Sequence, residues 1–223
     1  MDAQAQGLDH PALRAQVGRK LSPHDSAGGT RERIVAAAMD LFGRQGYHAS
    51  TIAQIEAAAG LSAGAGGLYR HFKSKRALLE AGLRDQAEAG RPLLAYLEDP
   101  GALAGLPRRE RFLAVARAGL RRLDEERDVN RLLLRDLGSF PDLLEQVRER
   151  ELRRVLDAVT AWLARESPGE PDAEALAAVL LAAVSHYWIM SDVFGGRHPH
   201  DVDVERFLGM LADLVIGRED RSG

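Results

Sequence analysis

Between Thr30 and Lys75 the apolar residues recur with the period of an α-helix, and glycine interrupts the recurrence at set points. Arg31 to Arg44 carries Ile34, Ala37, Ala38, Leu41 and Phe42 at offsets 0, 3, 4, 7 and 8, the stripe of a helix with one buried face. Thr30 is placed to cap this helix and Gly46 to stop it. A second helix opens at Ser50 or Thr51 and turns Ile52, Ile55 and Ala58 or Ala59 inward. Gly60 offers the positive φ of a sharp turn, Leu61 plugs the corner, and Ser62 can cap the next segment. Two short helices meeting at a glycine turn are the outline of a helix-turn-helix.

The details sharpen this outline. Thr30-Arg31-Glu32-Arg33-Ile34, Ala37-Ala38-Met39-Asp40-Leu41-Phe42, Gly46-Tyr47, Ser50-Thr51-Ile52, Ile55, Ala59-Gly60-Leu61-Ser62 and Leu68-Tyr69-Arg70-His71-Phe72-Lys73-Ser74-Lys75 together resemble the amino-terminal domain of the TetR (tetracycline-repressor-like) transcriptional regulators. Two features depart from that pattern. Ala63-Gly64-Ala65-Gly66-Gly67 makes the spacing between Ser62 and Leu68 about two residues longer than usual, and Glu56 stands where the family commonly has a small residue.

The resemblance implies an all-α chain in two parts. A three-helix DNA-binding domain at 30–76 is joined by a helix of about 75–89 to a larger helical domain at 90–218 that binds an effector and dimerises. Residues 1–29 read as a flexible arm and 219–223 as a tail. The family reading further implies a near-palindromic duplex operator, a repressor released by a small-molecule effector, a homodimer paired through the last two long helices, and a cytoplasmic location. By resemblance Tyr69, His71 and Lys75 contact phosphate oxygens, with Lys73 assisting. Thr51 and Ser62 can turn hydroxyls and helix N-termini toward phosphate. The 63–67 stretch lacks the long polar side chains that read base edges, so readout falls to Gln54, Ser62, Tyr69 and Arg70, with close backbone approach at Ala63 and Gly64. Each glycine inside a helix costs roughly 0.8–1 kcal/mol relative to alanine. The segment is therefore expected to fray, with a regular helix resuming near Gly67.

Charge is divided along the chain in the same sense. The net formal charge is −3, yet residues 30–80 hold seven cations (Arg31, Arg33, Arg44, Arg70, Lys73, Lys75, Arg76) against Glu32, Asp40, Glu56 and Glu80. That stretch is +3, residues 1–29 balance, and −6 is left for the rest. A basic head on an acidic body suits a protein that touches a polyanion at one end. Arg14, Arg19 and Lys20 in the arm are either solvated charges or phosphate contacts. The absence of cysteine removes disulfides and thiolate metal sites. The first 30 residues hold no apolar core of a secretory signal. Leu176 to Met190, interrupted by Ser185 and His186, falls short of the roughly 18 residues of a membrane span and reads as a buried helix.

Beyond Arg108 the pattern is helical throughout. Phe112, Val115, Ala116, Gly119, Leu120 and Leu123 share one face; a short helix covers about Asn130 to Leu137; Asp142 is placed to cap a long helix to about Glu166. Asp172 or Ala173 begins a helix that is apolar nearly all round, and a last helix spans about Val202 to Gly217. A helix apolar on every side must be covered on every side. Leu176 to Phe194, with Val204, Phe207, Leu208, Leu211, Leu214 and Val215, is therefore the expected dimer surface. Polar and bulky groups inside this body are candidates for an effector pocket: Trp162, His186, Tyr187, Met190 and Asn130, with Arg135 and Asp136 as further possibilities. Neither His-Glu-x-x-His, a Glu-x-x-His pair nor a phosphate loop occurs. We expect no enzyme activity, no cofactor, no metal and no membrane partner. The competing reading is a helical protein-binding adaptor that leaves DNA alone.

Overall fold

The computed structural model describes residues 29–217; the arm apart from Gly29, and the 219–223 tail, lie outside the described residues. Ten α-helices occur among them: α1 (Thr30–Gln45), α2 (Ile52–Ala58), α3 (Lys75–Ala89), α4 (Arg91–Glu98), α5 (Arg108–Glu125), α6 (Arg127–Arg135), α7 (Pro141–Val147), α8 (Arg153–Glu166), α9 (Ala173–Val193) and α10 (Val204–Ile216). Two 3₁₀ turns, Gly67–Arg70 and Leu137–Ser139, and a π turn, Arg148–Leu152, complete the helical elements.

Local chemistry explains most boundaries. Thr51 Oγ accepts from Gln54 N while Gln54 Oε1 accepts from Thr51 N, so α2 opens on a reciprocal capping box. Ser74, Asp172 and Asp203 cap α3, α9 and α10 through side-chain oxygens that accept from the backbone N–H three residues on. Gly46, at φ 101°, stops α1. Thr30 does not cap it: the cap is Gly29, and the Thr30 hydroxyl instead accepts from Arg33 at 3.4 Å. Asp142 does not cap either. Pro141 occupies the first turn of α7, where its missing N–H costs nothing, and Asp142 pairs with Arg76 of α3. The long helix expected up to Glu166 is α7 and α8 joined by the π turn, within which Glu151 pairs with Arg122 of α5.

Packing does not respect the boundary drawn from sequence. One core gathers Ile34, Phe42, Ile55, Leu68, Leu78 and Leu79 of the head with Leu132, Leu137 and Leu143, which come after the body's first long helix. A second core joins α4, α5, α8, α9 and α10 around Phe112, Trp162, Leu163, Ala177 and Leu208. Thus α6 and α7 lie on the head. Arg135 of α6 donates to the carbonyls of Phe42 and Gly43 at 2.5 and 3.2 Å, satisfying orphan acceptors at the end of α1. From the first half of α6, Arg127 and Arg131 both pair with Asp192 of α9.

The expectation for the apolar run is corrected in one respect. α9 is a 21-residue helix whose length and mean hydropathy of 1.5 would suffice to cross a membrane, and only 22% of its most apolar window is buried within the chain. Ser185 and His186 interrupt the apolar run without ending the helix. Val179, Val193, Met210 and Leu214 of α9 and α10 are 59–71% exposed.

Candidate nucleic-acid interface

α1 and α3 hold the head, and α2 with the segment after it forms its outer edge. After Ala59 the chain turns at Gly60 (φ 74°), and Leu61 N donates to the Glu56 carbonyl at 2.8 Å. A regular recognition helix does not come next. Residues 62–66 form a non-helical loop with a turn at Ala63 and Gly64, and helix returns only as the single 3₁₀ turn Gly67–Arg70. Gly64 and Gly66 sit at φ 73° and 74°, conformations that cost an L-residue energy and glycine almost none. Ser62 therefore caps no helix; its carbonyl accepts from Ala65 N in a turn.

Buried beneath this loop is Glu56, with no exposed surface. Its two carboxylate oxygens accept from Gly64 N at 2.7 Å and Leu68 N at 2.9 Å. The two departures from the family pattern are thus matched to each other: the longer loop is tied down by the larger residue.

The ten residues expected at DNA divide into two groups, nine exposed and one half-buried. Thr51, Gln54, Ser62, Ala63, Gly64, Tyr69, Arg70, His71 and Lys73 are all exposed on the head, and Tyr69 is 57% exposed. Of these, Thr51 and Gln54 are already engaged with each other, and Gln45 also donates to Gln54 at 3.2 Å. Phe72 is core, with the Arg31 guanidinium 5.1 Å above its ring. Lys75 is half-buried and already engaged. Its ammonium donates to the carbonyls of Tyr47 and Ser50 at 2.8 and 2.9 Å and sits 4.3 Å over the Tyr47 ring. Burial holds the Lys75 ammonium below its ordinary pKa. It joins α3 to the α1–α2 connection. Tyr47 is the hub of that junction, 5.1 Å from Phe42 and 4.9 Å from Phe140, and burial pushes its phenol up. The sequence marks Glu56 as a departure from the family pattern and Lys75 as a phosphate contact; only the fold shows their charged ends turned onto backbone.

The five effector candidates do not share a site. Trp162 lines a cavity of about 90 Å³ in the body core with Leu94, Phe112, Val115, Leu180 and Leu208, where Arg122 is the one charged lining residue. Tyr187 lies in an outer cleft of about 520 Å³ beside α10; its hydroxyl donates to the Val202 carbonyl at 2.8 Å and its ring stacks on His198 and Phe207. His186 is exposed on α9, and Met190 lines neither space. Asn130 donates to the Leu123 carbonyl at 3.0 Å, bracing the α5–α6 joint. Of the further possibilities, Arg135 clamps α1 as described and also pairs with Asp136 at 2.9 Å. The apolar lining of the smaller cavity was legible only as helical periodicity.

The geometry defines an all-helical protein with a basic helix-turn-helix head. Residues 34–81 match the family described as bacterial regulatory proteins, tetR family. The HTH-type transcriptional regulator YvkB of Bacillus subtilis is 29% identical over 120 residues, 54% of this chain and 59% of that protein, so the similarity spans under two thirds of the relative. Solved structures are covered more fully. A regulator from Mesorhizobium loti classed in the TetR family superposes with a TM-score of 0.68 at 17% identity, covering 85% of this chain and 96% of the other. A transcriptional regulator from Rhodococcus sp. Rha1 gives 0.62 at 26% identity over 85% and 95%. The chain carries the TetR-family helix-turn-helix domain on the all-helical fold of that family.

Proposed function

We propose that the protein is a DNA-binding transcriptional regulator that acts as a homodimer, a repressor released from a near-palindromic operator by a small-molecule effector. The observation that carries this reading is the head. Tyr69 and Arg70 on the 3₁₀ turn, and His71 and Lys73 just after it, stand exposed on the head whose α2 opens on a capping box, groups of the kind that fix a protein's register on phosphate. Pairing through α9 and α10 is supported by their exposed Val179, Val193, Met210 and Leu214, which a partner copy would cover. A two-fold dimer sets two heads one helical turn apart, about 34–36 Å, on consecutive major-groove faces.

Release depends on how α6 is held. It is tied to α1 by Arg135 and to α9 by the Arg127 and Arg131 pairs with Asp192, and it continues from α5, which lines the apolar cavity. At about 90 Å³ that cavity is far below the 300–1,000 Å³ of drug-sized pockets. A largely apolar effector must widen it, and so favours a body in which α5 and α6 have shifted and the heads are misplaced. Moving the population from 1:99 to 99:1 takes about 5.5 kcal/mol of differential affinity. Selection of bound fragments from random duplex DNA tests the reading. An inverted repeat is expected; recovery of no preferred sequence would remove it. Apolar ligands titrated against the operator complex then test release, which fails if a ligand binds free and DNA-bound protein equally.

A further inference from the structure

The Ser62–Gly67 loop ought to be the least ordered part of the head. It holds three glycines and two alanines, and ordering its backbone costs conformational entropy at every residue, most of all at glycine. No side chain in it is longer than serine's, so nothing of its own anchors it. The anchor comes from α2. Glu56, without exposed surface, binds Gly64 N and Leu68 N through its two oxygens, while its carbonyl takes Leu61 N.

Leu68 N belongs to the start of the 3₁₀ turn that carries Tyr69 and Arg70, and the cap residue there, Gly66, has no side chain to satisfy it. Glu56 supplies that cap from another helix, by charge-assisted bonds of the stronger kind. The outer side of the loop is open: a methyl group built on Gly64 would meet nothing within 4 Å. Exposed carboxylates on this edge would repel phosphate; this one faces inward.

We infer that Glu56 is a positioning residue for DNA readout, holding the 62–68 loop as a preformed element that meets the duplex with its backbone instead of with a recognition helix. The inference rests on the DNA-binding reading, and its two arms separate the pair. The first needs no DNA: amide exchange is slow at Gly64 and Leu68 in the wild type, fast at both in Glu56→Ala, and intermediate in Glu56→Gln, which keeps the length and one acceptor. Cooperative melting and unchanged exchange in α1 and α3 establish that each variant is folded.

The second arm compares a selected duplex with a scrambled one, below the melting temperature of all three proteins. Glu56→Ala lowers the ratio of the two affinities at least tenfold, about 1.4 kcal/mol, leaves scrambled-duplex affinity within about twofold, and Glu56→Gln falls between. Equal loss on both duplexes, or fast exchange with selectivity intact, overturns the inference. So do unprotected amides in the wild type, whatever the DNA result. Protected amides in a wild-type protein that prefers no duplex would sink the DNA-binding reading and the readout role, leaving only the clamp.

Discussion

Replacing Lys75 by methionine removes a charge that the head has turned inward. Two carbonyls and the Tyr47 ring lose their cation. Hydrogen bonds to charged groups are worth about 1.5–3 kcal/mol, so Lys75→Met is expected to cost about 2 kcal/mol in urea unfolding. Tyr69 behaves oppositely. At 57% exposure it supports little of the fold, so Tyr69→Ala should leave stability within about 0.5 kcal/mol. It should weaken selected and scrambled duplexes alike, as the loss of a phosphate contact does; a selective loss at one base position would show a different role. Sequence alone made these two residues equivalent, because both occupy motif positions. Which polar groups the fold consumes depends on where free carbonyls fall, and the Tyr47 and Ser50 carbonyls that hold Lys75 lie 28 and 25 residues away.

Elements were more legible than their joints. The stripes of α1, α2 and α5 and the ends set by Gly46 and Asp172 come from spacing and capping chemistry. The π turn and the docking of α6 on the head do not, since both depend on long-range partners: Glu151 with Arg122, Arg135 with the end of α1. Gly43 marks that docking, because a methyl group there would stand 2.5 Å from the Asp128 Cα. Gly43→Ala must push α6 off α1, and a loss of about 1–3 kcal/mol is expected by thermal melting; an unchanged melting temperature would mean that the two helices are not in close contact.

The joint between α5 and α10 has a pH dependence of defined sign. Hydrogen bonds from Arg117 and Arg109 hold the Glu205 and Asp213 carboxyls below their ordinary range. A depressed carboxylate pKa stabilises the fold above the unfolded value, and that contribution is lost as pH falls through the folded one. The α10 contact should therefore weaken only below the ordinary carboxylate pKa of about 4. Because the Arg117–Glu205 pair is half solvated, Glu205→Gln should cost under about 1 kcal/mol at neutral pH. The difference between wild type and variant should vanish in acid, as read by melting across pH.

For the whole molecule, the division into a basic head and an acidic apolar body was visible in charge and periodicity. What covers α9 and α10 was not, because a buried helix, a membrane span and a dimer helix share one composition. The exposed Val179 and Val193 of α9 and Met210 and Leu214 of α10 exclude only burial within the one chain. Met210→Glu with Leu214→Glu should yield a folded monomer by light scattering, with its affinity for an inverted repeat reduced to that for a single half-site. The most direct measurement is the affinity and stoichiometry of the wild-type protein on duplexes whose two inverted half-sites are separated in single-base-pair steps. The account predicts two protomers per duplex and one sharp optimum, with half-site centres about 10 base pairs or a multiple apart. Binding indifferent to spacing, or one protomer per duplex at saturation, would contradict it.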